Sequence, residues 1–159
     1  MKRTSLLLSA LLVLCSLTAG VRADATDFEF ARGLMDRGYF DLAAGEFQRL
    51  IDDPSRSVDP RSDGELGLCF LRAKVAIREQ QGRKPDEDPA PILARFAEAK
   101  QAFQTFFEKA KTHPRIADAR FEFGKLLQNE GALLRTLIGE STDPLKIDDY
   151  RRRAELAID

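Results

Sequence analysis

FEFARGLMDRGYFDLAAGEFQRLIDDP, residues 28–54, reads as two short amphipathic helices joined by a tight turn. Phe28, Ala31, Leu34 and Met35 recur at the three- and four-residue steps that line one helix face. Gly38, followed by Tyr39 and Phe40, interrupts that period, and Asp41 supplies a side chain able to cap the second helix. Leu42, Ala43, Phe47, Leu50 and Ile51 make a second apolar stripe, closed by Asp53 and Pro54. Ala31, Ala43 and Ala44 are small where two such helices would cross closely.

Upstream of this pair, Lys2 and Arg3 precede a Leu-rich apolar run from Ser5 to Leu17 that is too short for a comfortable membrane span. Val21-Arg22-Ala23 has the small-residue pattern of a cleavage site, so residues 1–23 read as a secretory signal peptide cut before Asp24. The alternative is an uncleaved N-terminal anchor. A lipoprotein site is discounted because Leu14 precedes Cys15 and apolar sequence continues beyond it. The expected location is therefore exported, in the periplasm or outside the cell. Residues 24–159 would form the mature chain of 136 residues, enough for one domain with a modest core. It holds 22 basic and 26 acidic residues, a net charge near −4 that argues against nucleic acid as the main partner. No later segment is apolar enough to span a membrane. Only Cys69 survives in the mature chain, so disulfides cannot supply the stability. Its place between Leu68 and Phe70 reads as a small buried hydrophobe rather than a reactive thiol.

Downstream, residues 52–63 (DDPSRSVDPRSD) form a connector with two prolines. A third helix is expected from about Ser62, with Leu66, Cys69, Phe70, Ala73 and Ile77 buried, fading at Gln80 to Gly82. Residues 83–91 (RKPDEDPAP) have nothing to bury and read as a loop. A fourth helix from Pro91 carries Ile92, Phe96, Ala99, Phe103 and Phe106 on one face and stops at Thr112-His113-Pro114. A fifth from Ile116 should end near Asn129 to Gly131, and a short sixth should run from Ala132 to Ile138. Ser141 to Pro144 signals another helix start, before the stripe of Ile147, Tyr150, Ala154, Ala157 and Ile158. No stretch alternates as a strand would, so the mature chain is expected to be all-α.

Helical pairs invite a test for repeats. Phe30-Ala31-x2-Leu34 recurs as Leu66-Gly67-x2-Phe70 and as Phe123-Gly124-x2-Leu127, and Ala43-x3-Phe47 recurs as Ala102-x3-Phe106, each followed by Pro54 or Pro114. Ala31 and Gly67 lie 36 residues apart and Gly67 and Gly124 lie 57 apart. Both sets of markers place an expansion of 23 residues inside the second unit, between its helices. In the third unit Gly131 fits the turn, while Thr136 and Glu140 take the expected Ala and Phe positions. From Asp24 to Gly139 the chain resembles the tetratricopeptide family, without that family's signature Trp. The resemblance implies a right-handed α-solenoid of antiparallel helix pairs, about two and a half to three repeats long with the second expanded. Residues 140–159 would be a capping helix or the first helix of a further unit. The competing architecture is a generic helical bundle.

Chemistry has little to build on. His113 is the only histidine; it precedes Pro114 at a helix end, where a cation favours the helix dipole, and it reads as part of the helix termination rather than as a catalytic or metal-binding residue. Asp86, Glu87 and Asp88 are adjacent rather than at ligand spacing and sit between prolines. No catalytic residue, metal ligand or cofactor is expected. Binding remains, and the resemblance implies a concave groove lined by first helices. Its candidate contacts are Arg32 and Asp36 in the first unit, Arg72 in the second, and Phe121, Lys125 and Asn129 in the third. These do not form the Lys/Asn clamp that some relatives use for a terminal carboxylate. The expected function is an exported scaffold binding other proteins or peptides, the alternative being a structural or assembly subunit of an envelope complex.

Overall fold

The computed structural model describes residues 26–55 and 58–156; the expected signal peptide, with Ala157 and Ile158 of the last stripe, lies outside them. Among the described residues there are six helices and no strand: α1 (26–36), α2 (Phe40–Asp52), α3 (Val58–Gly82), α4 (Ala90–Lys109), α5 (Ile116–Glu140) and α6 (Pro144–Leu156). The protein is all-α, as its helical periods require. No described helix is long and apolar enough to cross a membrane. The chain divides within α3 into two compact units, one through Gly67 and one from Leu68.

In the N-terminal unit the break at Gly38 is a complete helix ending. Gly38 has φ 83°. Its N–H donates to the Met35 carbonyl and the Tyr39 N–H reaches back to the Leu34 carbonyl, both at 3.0 Å. Those paired bonds make a Schellman motif, and the left-handed backbone they need is open to glycine without steric cost. Asp41 is not the cap of α2: Tyr39 holds that position with no side-chain cap bond, and Asp41 falls in the first turn, where its charge complements the helix dipole. Phe28, Ala31 and Met35 of α1 and Ala43, Phe47 and Leu50 of α2 are buried. The Phe28 and Phe47 rings lie 5.7 Å apart, tilted by 50°. At the edge, Arg49 donates to Glu46 at 2.9 Å and reaches Asp27 at 3.4 Å. The Glu46 hydrogen bond, with the charge of Glu46 and the contact to Asp27, holds the Arg49 guanidinium above its ordinary pKa.

Helix α3 starts at Val58, four residues before the expected Ser62. Pro60 sits in its first turn, where the missing N–H is one the helix start leaves unpaired in any case. One turn later α3 presents bare backbone to α2. A Cβ on Gly64 would fall 2.7 Å from the Phe47 carbonyl oxygen and 2.8 Å from Ile51 Cγ1, and one on Gly67 would fall 2.1 Å from Phe47 Cδ1. At these positions α3 contributes no side chain to the crossing, and the Phe47 ring of α2 packs directly on the Gly67 backbone.

In the C-terminal unit α4 opens at Ala90 and buries Ile92, Leu93, Phe96, Ala99, Phe103 and Phe106. Phe103 is the hub, its ring 6.1 Å from Phe70, 6.0 Å from Phe107 and 5.4 Å from Phe123. Helix α5 packs against both α4 and α6. The expected turn at Gly131 is absent: α5 runs unbroken for 25 residues, so no separate helix begins at Ala132. Leu126, Glu130, Leu133, Leu134 and Leu137 stay in phase across Gly131 and are all buried. That continuous buried stripe outweighs the roughly 1 kcal/mol that one glycine costs a helix. Asn129, the other expected breaker, donates its side-chain amide to the Lys125 carbonyl at 2.8 Å and stays within the helix.

Two loops hold contacts beyond the sequence reading. Residues 83–89 do bury something, because the Arg83 side chain is 7% exposed. It donates to the Pro85 and Glu87 carbonyls, each at 3.1 Å, and pairs with Glu140 at the end of α5 at 2.9 Å. His113 lies in the turn between α4 and α5. Its ring is buried edge-on against Phe106, centroids 5.3 Å apart, and its Nδ1 accepts the Arg115 N–H at 3.1 Å at the start of α5. His113→Ala is expected to cost about 2 kcal/mol, from a lost aromatic edge contact and a lost buried hydrogen bond, measurable by urea denaturation.

Candidate functional site

The six residues singled out from the sequence fall in two places. Arg32, half-buried, and Asp36, exposed, lie on α1 in the N-terminal unit. Arg72 is exposed on α3, and Phe121, Lys125 and Asn129 are on α5, all in the C-terminal unit. The last three come together because steps of four residues return to the same side of a helix. Phe121 is 67% exposed, a large aromatic surface left in water. Lys125 Nζ stands 5.6 Å from the centre of its ring and pairs with Glu122 at 2.9 Å. The row thus offers a flat apolar ring, a cation held beside it and an amide one turn on. No described contact joins Arg72 to this row.

A second feature lies on another side of the same helix and has no counterpart in the sequence reading. Phe123 follows Phe121 by two residues, about 200° round the helix. It and Leu127 line an open groove of about 480 Å³ with residues of α4 and α6. Helix α4 contributes Lys100, Gln101 and Gln104, and α6 contributes Arg153 and Leu156. The lysine is held from beneath by Glu130, which is 1% exposed on α5. Lys100 Nζ lies 2.8 Å from Glu130 Oε1 in hydrogen-bond geometry and 2.7 Å from Oε2 as an ionic contact. Arg153 approaches the same carboxylate at 3.9 Å and Asp149 at 3.8 Å. A carboxylate taken out of water needs such a partner, because burial of an unpaired charge is strongly unfavourable.

The signal for this site was present in one residue. Glu130 sits between Leu126 and Leu133/Leu134 in the apolar stripe of α5, and a charge in phase with a core must be answered by another helix. Its two cations lie 30 residues before it and 23 residues after it, beyond any local pattern. Among the described residues, no group of three or more His, Cys, Asp or Glu side chains is placed to hold a metal ion. No family model matches the chain, and neither a curated protein nor a solved structure does.

Proposed function

We propose that this chain is an exported helical-repeat scaffold that binds partner proteins outside the cytoplasm. The observation that carries the reading is the row on α5: Phe121, 67% exposed, flanked by Lys125 and Asn129. Aromatic side chains next to a cation supply much of the binding energy at protein interfaces, and their exposure in a lone chain has no folding benefit. The repeat reading is supported by helix lengths. Helices α3 and α5 each have 25 residues, and both ends of α5 are displaced from those of α3 by 58 residues. On that register the pairs are α1 with α2, α3 with α4, and α5 with α6. The last helix is then the second member of the third pair, and the enlargement is shared by the second and third units. A second reading, a permanently assembled envelope subunit, is favoured by the N-terminal unit, which leaves Phe30, Tyr39 and Leu42 exposed.

A photo-crosslinker at position 128, exposed one turn from Lys125 on the same side of α5, is the test. It is expected to capture partner protein in the native envelope, and Phe121→Ala to reduce the capture about tenfold with an unchanged melting curve. Capture indifferent to Phe121→Ala would overturn the scaffold reading. Capture from positions 39 and 42 into a complex that survives extraction would support the assembly reading instead.

A further inference from the structure

We propose that the groove between α4, α5 and α6 is a docking site for a partner segment that carries an acidic side chain between apolar ones. This goes beyond the row on α5, which lies elsewhere on the circumference of that helix. The groove's described lining holds two cations, Lys100 and Arg153, and no carboxylate. Their counter-charges are outside that lining: Glu130 is buried, and Asp149 stands 3.8 Å from Arg153. Lys100 and Arg153 nonetheless keep about a third of their side-chain surface in water, 30% and 33%. Glu130 thus holds Lys100 at the groove without lining it, and Arg153 stands at the same groove 3.9 Å from that carboxylate. On a chain that is acidic overall, this is a local site for an anion.

The rest of the lining sets what else the occupant must offer. Phe123 and Leu127 form an apolar strip along α5, and Leu156 continues it on α6 while standing 71% exposed. Gln101 and Gln104 lie one turn apart on α4, each with an amide that both donates and accepts. Paired amides beside an apolar strip match a peptide backbone with alternate side chains turned inward. A simple alkyl carboxylate would leave those amides without a use, so the occupant is a protein segment.

The experiment probes an array of nonapeptides with the labelled, folded chain. The array holds central residues that are Asp/Glu, Asn/Gln or Lys/Arg, each between Leu and Phe flanks. Acidic centres should be retained about tenfold over their amide isosteres, since a charge-assisted contact is roughly twice as strong as a neutral one. Arg153→Gln, whose contact with Glu130 is long enough to lose without unfolding, should reduce that preference severalfold. Phe121→Ala should leave it intact, which separates this site from the row on α5. Equal retention of acid and amide centres, a preference for basic ones, no retention at all, or a preference indifferent to Arg153→Gln in a variant with an unchanged melting curve would each overturn the proposal.

Discussion

Gly67→Ala is expected to destabilise the N-terminal unit by about 3 kcal/mol, although alanine is the better helix former by roughly 1 kcal/mol. The reason is the crossing of α2 and α3. An added Cβ would lie 2.1 Å from Phe47 Cδ1, 2.2 Å from Cε1 and 2.6 Å from Cγ. A ring flip cannot relieve this, because Cγ is one bond from Phe47 Cβ and moves only if the whole side chain swings. That swing is blocked, since Phe47 is fully buried and packed against Phe28. The helices must therefore separate, and the buried stripe of α2 separates with them. Gly64→Ala should act in the same direction, since its nearest neighbour is the Phe47 carbonyl, which cannot rotate aside. Gly45 and Gly124 supply the internal control. Both are exposed within helices and would place a Cβ more than 4 Å from any neighbour, so alanine there should stabilise by up to about 1 kcal/mol. Urea denaturation of the four variants reads the difference. A neutral Gly67→Ala would mean that the crossing is looser than the structure has it.

That contact shows how far the sequence could be read. Ala43-x3-Phe47 and Leu66-Gly67 are legible as separate markers from their spacing, because helical periods report which residues share a face. What spacing does not report is that Phe47 and Gly67 touch, since that depends on the connector between α2 and α3. The same limit explains Gly124. It repeats the spelling of Gly67 after an apolar residue, yet it is exposed and has no neighbour for a Cβ, so it marks no crossing. Gly131 misleads for a different reason: one glycine bears on local propensity, whereas the buried stripe on both sides of it decides the matter. The Phe121, Lys125 and Asn129 row is legible because it needs only one helix. The groove is not, because Lys100, Glu130 and Arg153 meet from three helices whose registers are set by loops and packing. Helix existence and facing are local properties; the meeting of side chains across helices is not.

Lys100→Met should be the most damaging change in the C-terminal unit, at about 3–5 kcal/mol, while the double variant Lys100→Met/Glu130→Met should recover most of that loss. In the native protein Glu130 has one close cation, Lys100, touching both carboxylate oxygens, with Arg153 more distant at 3.9 Å. Methionine at position 100 keeps the length of the side chain but leaves a carboxylate that is 1% exposed with only the more distant Arg153, at 3.9 Å, to answer it. Glu130→Met alone is milder, at about 1 kcal/mol, because the lysine it strands is 30% exposed and can turn to water. The asymmetry between the two single variants is the diagnostic. If the pair served mainly to glue α4 to α5, both single variants would cost alike and the double would cost as much as either. If it serves to hold cations at the groove, the doubly substituted protein should be as stable as the parent and yet keep only Arg153 of the groove's two cations. A cycle of the four proteins, followed by urea denaturation, gives the coupling between the residues directly. A coupling of at least about 2 kcal/mol, with the double variant near parental stability, is the outcome that assigns the pair to the surface it orients rather than to the fold it sits in.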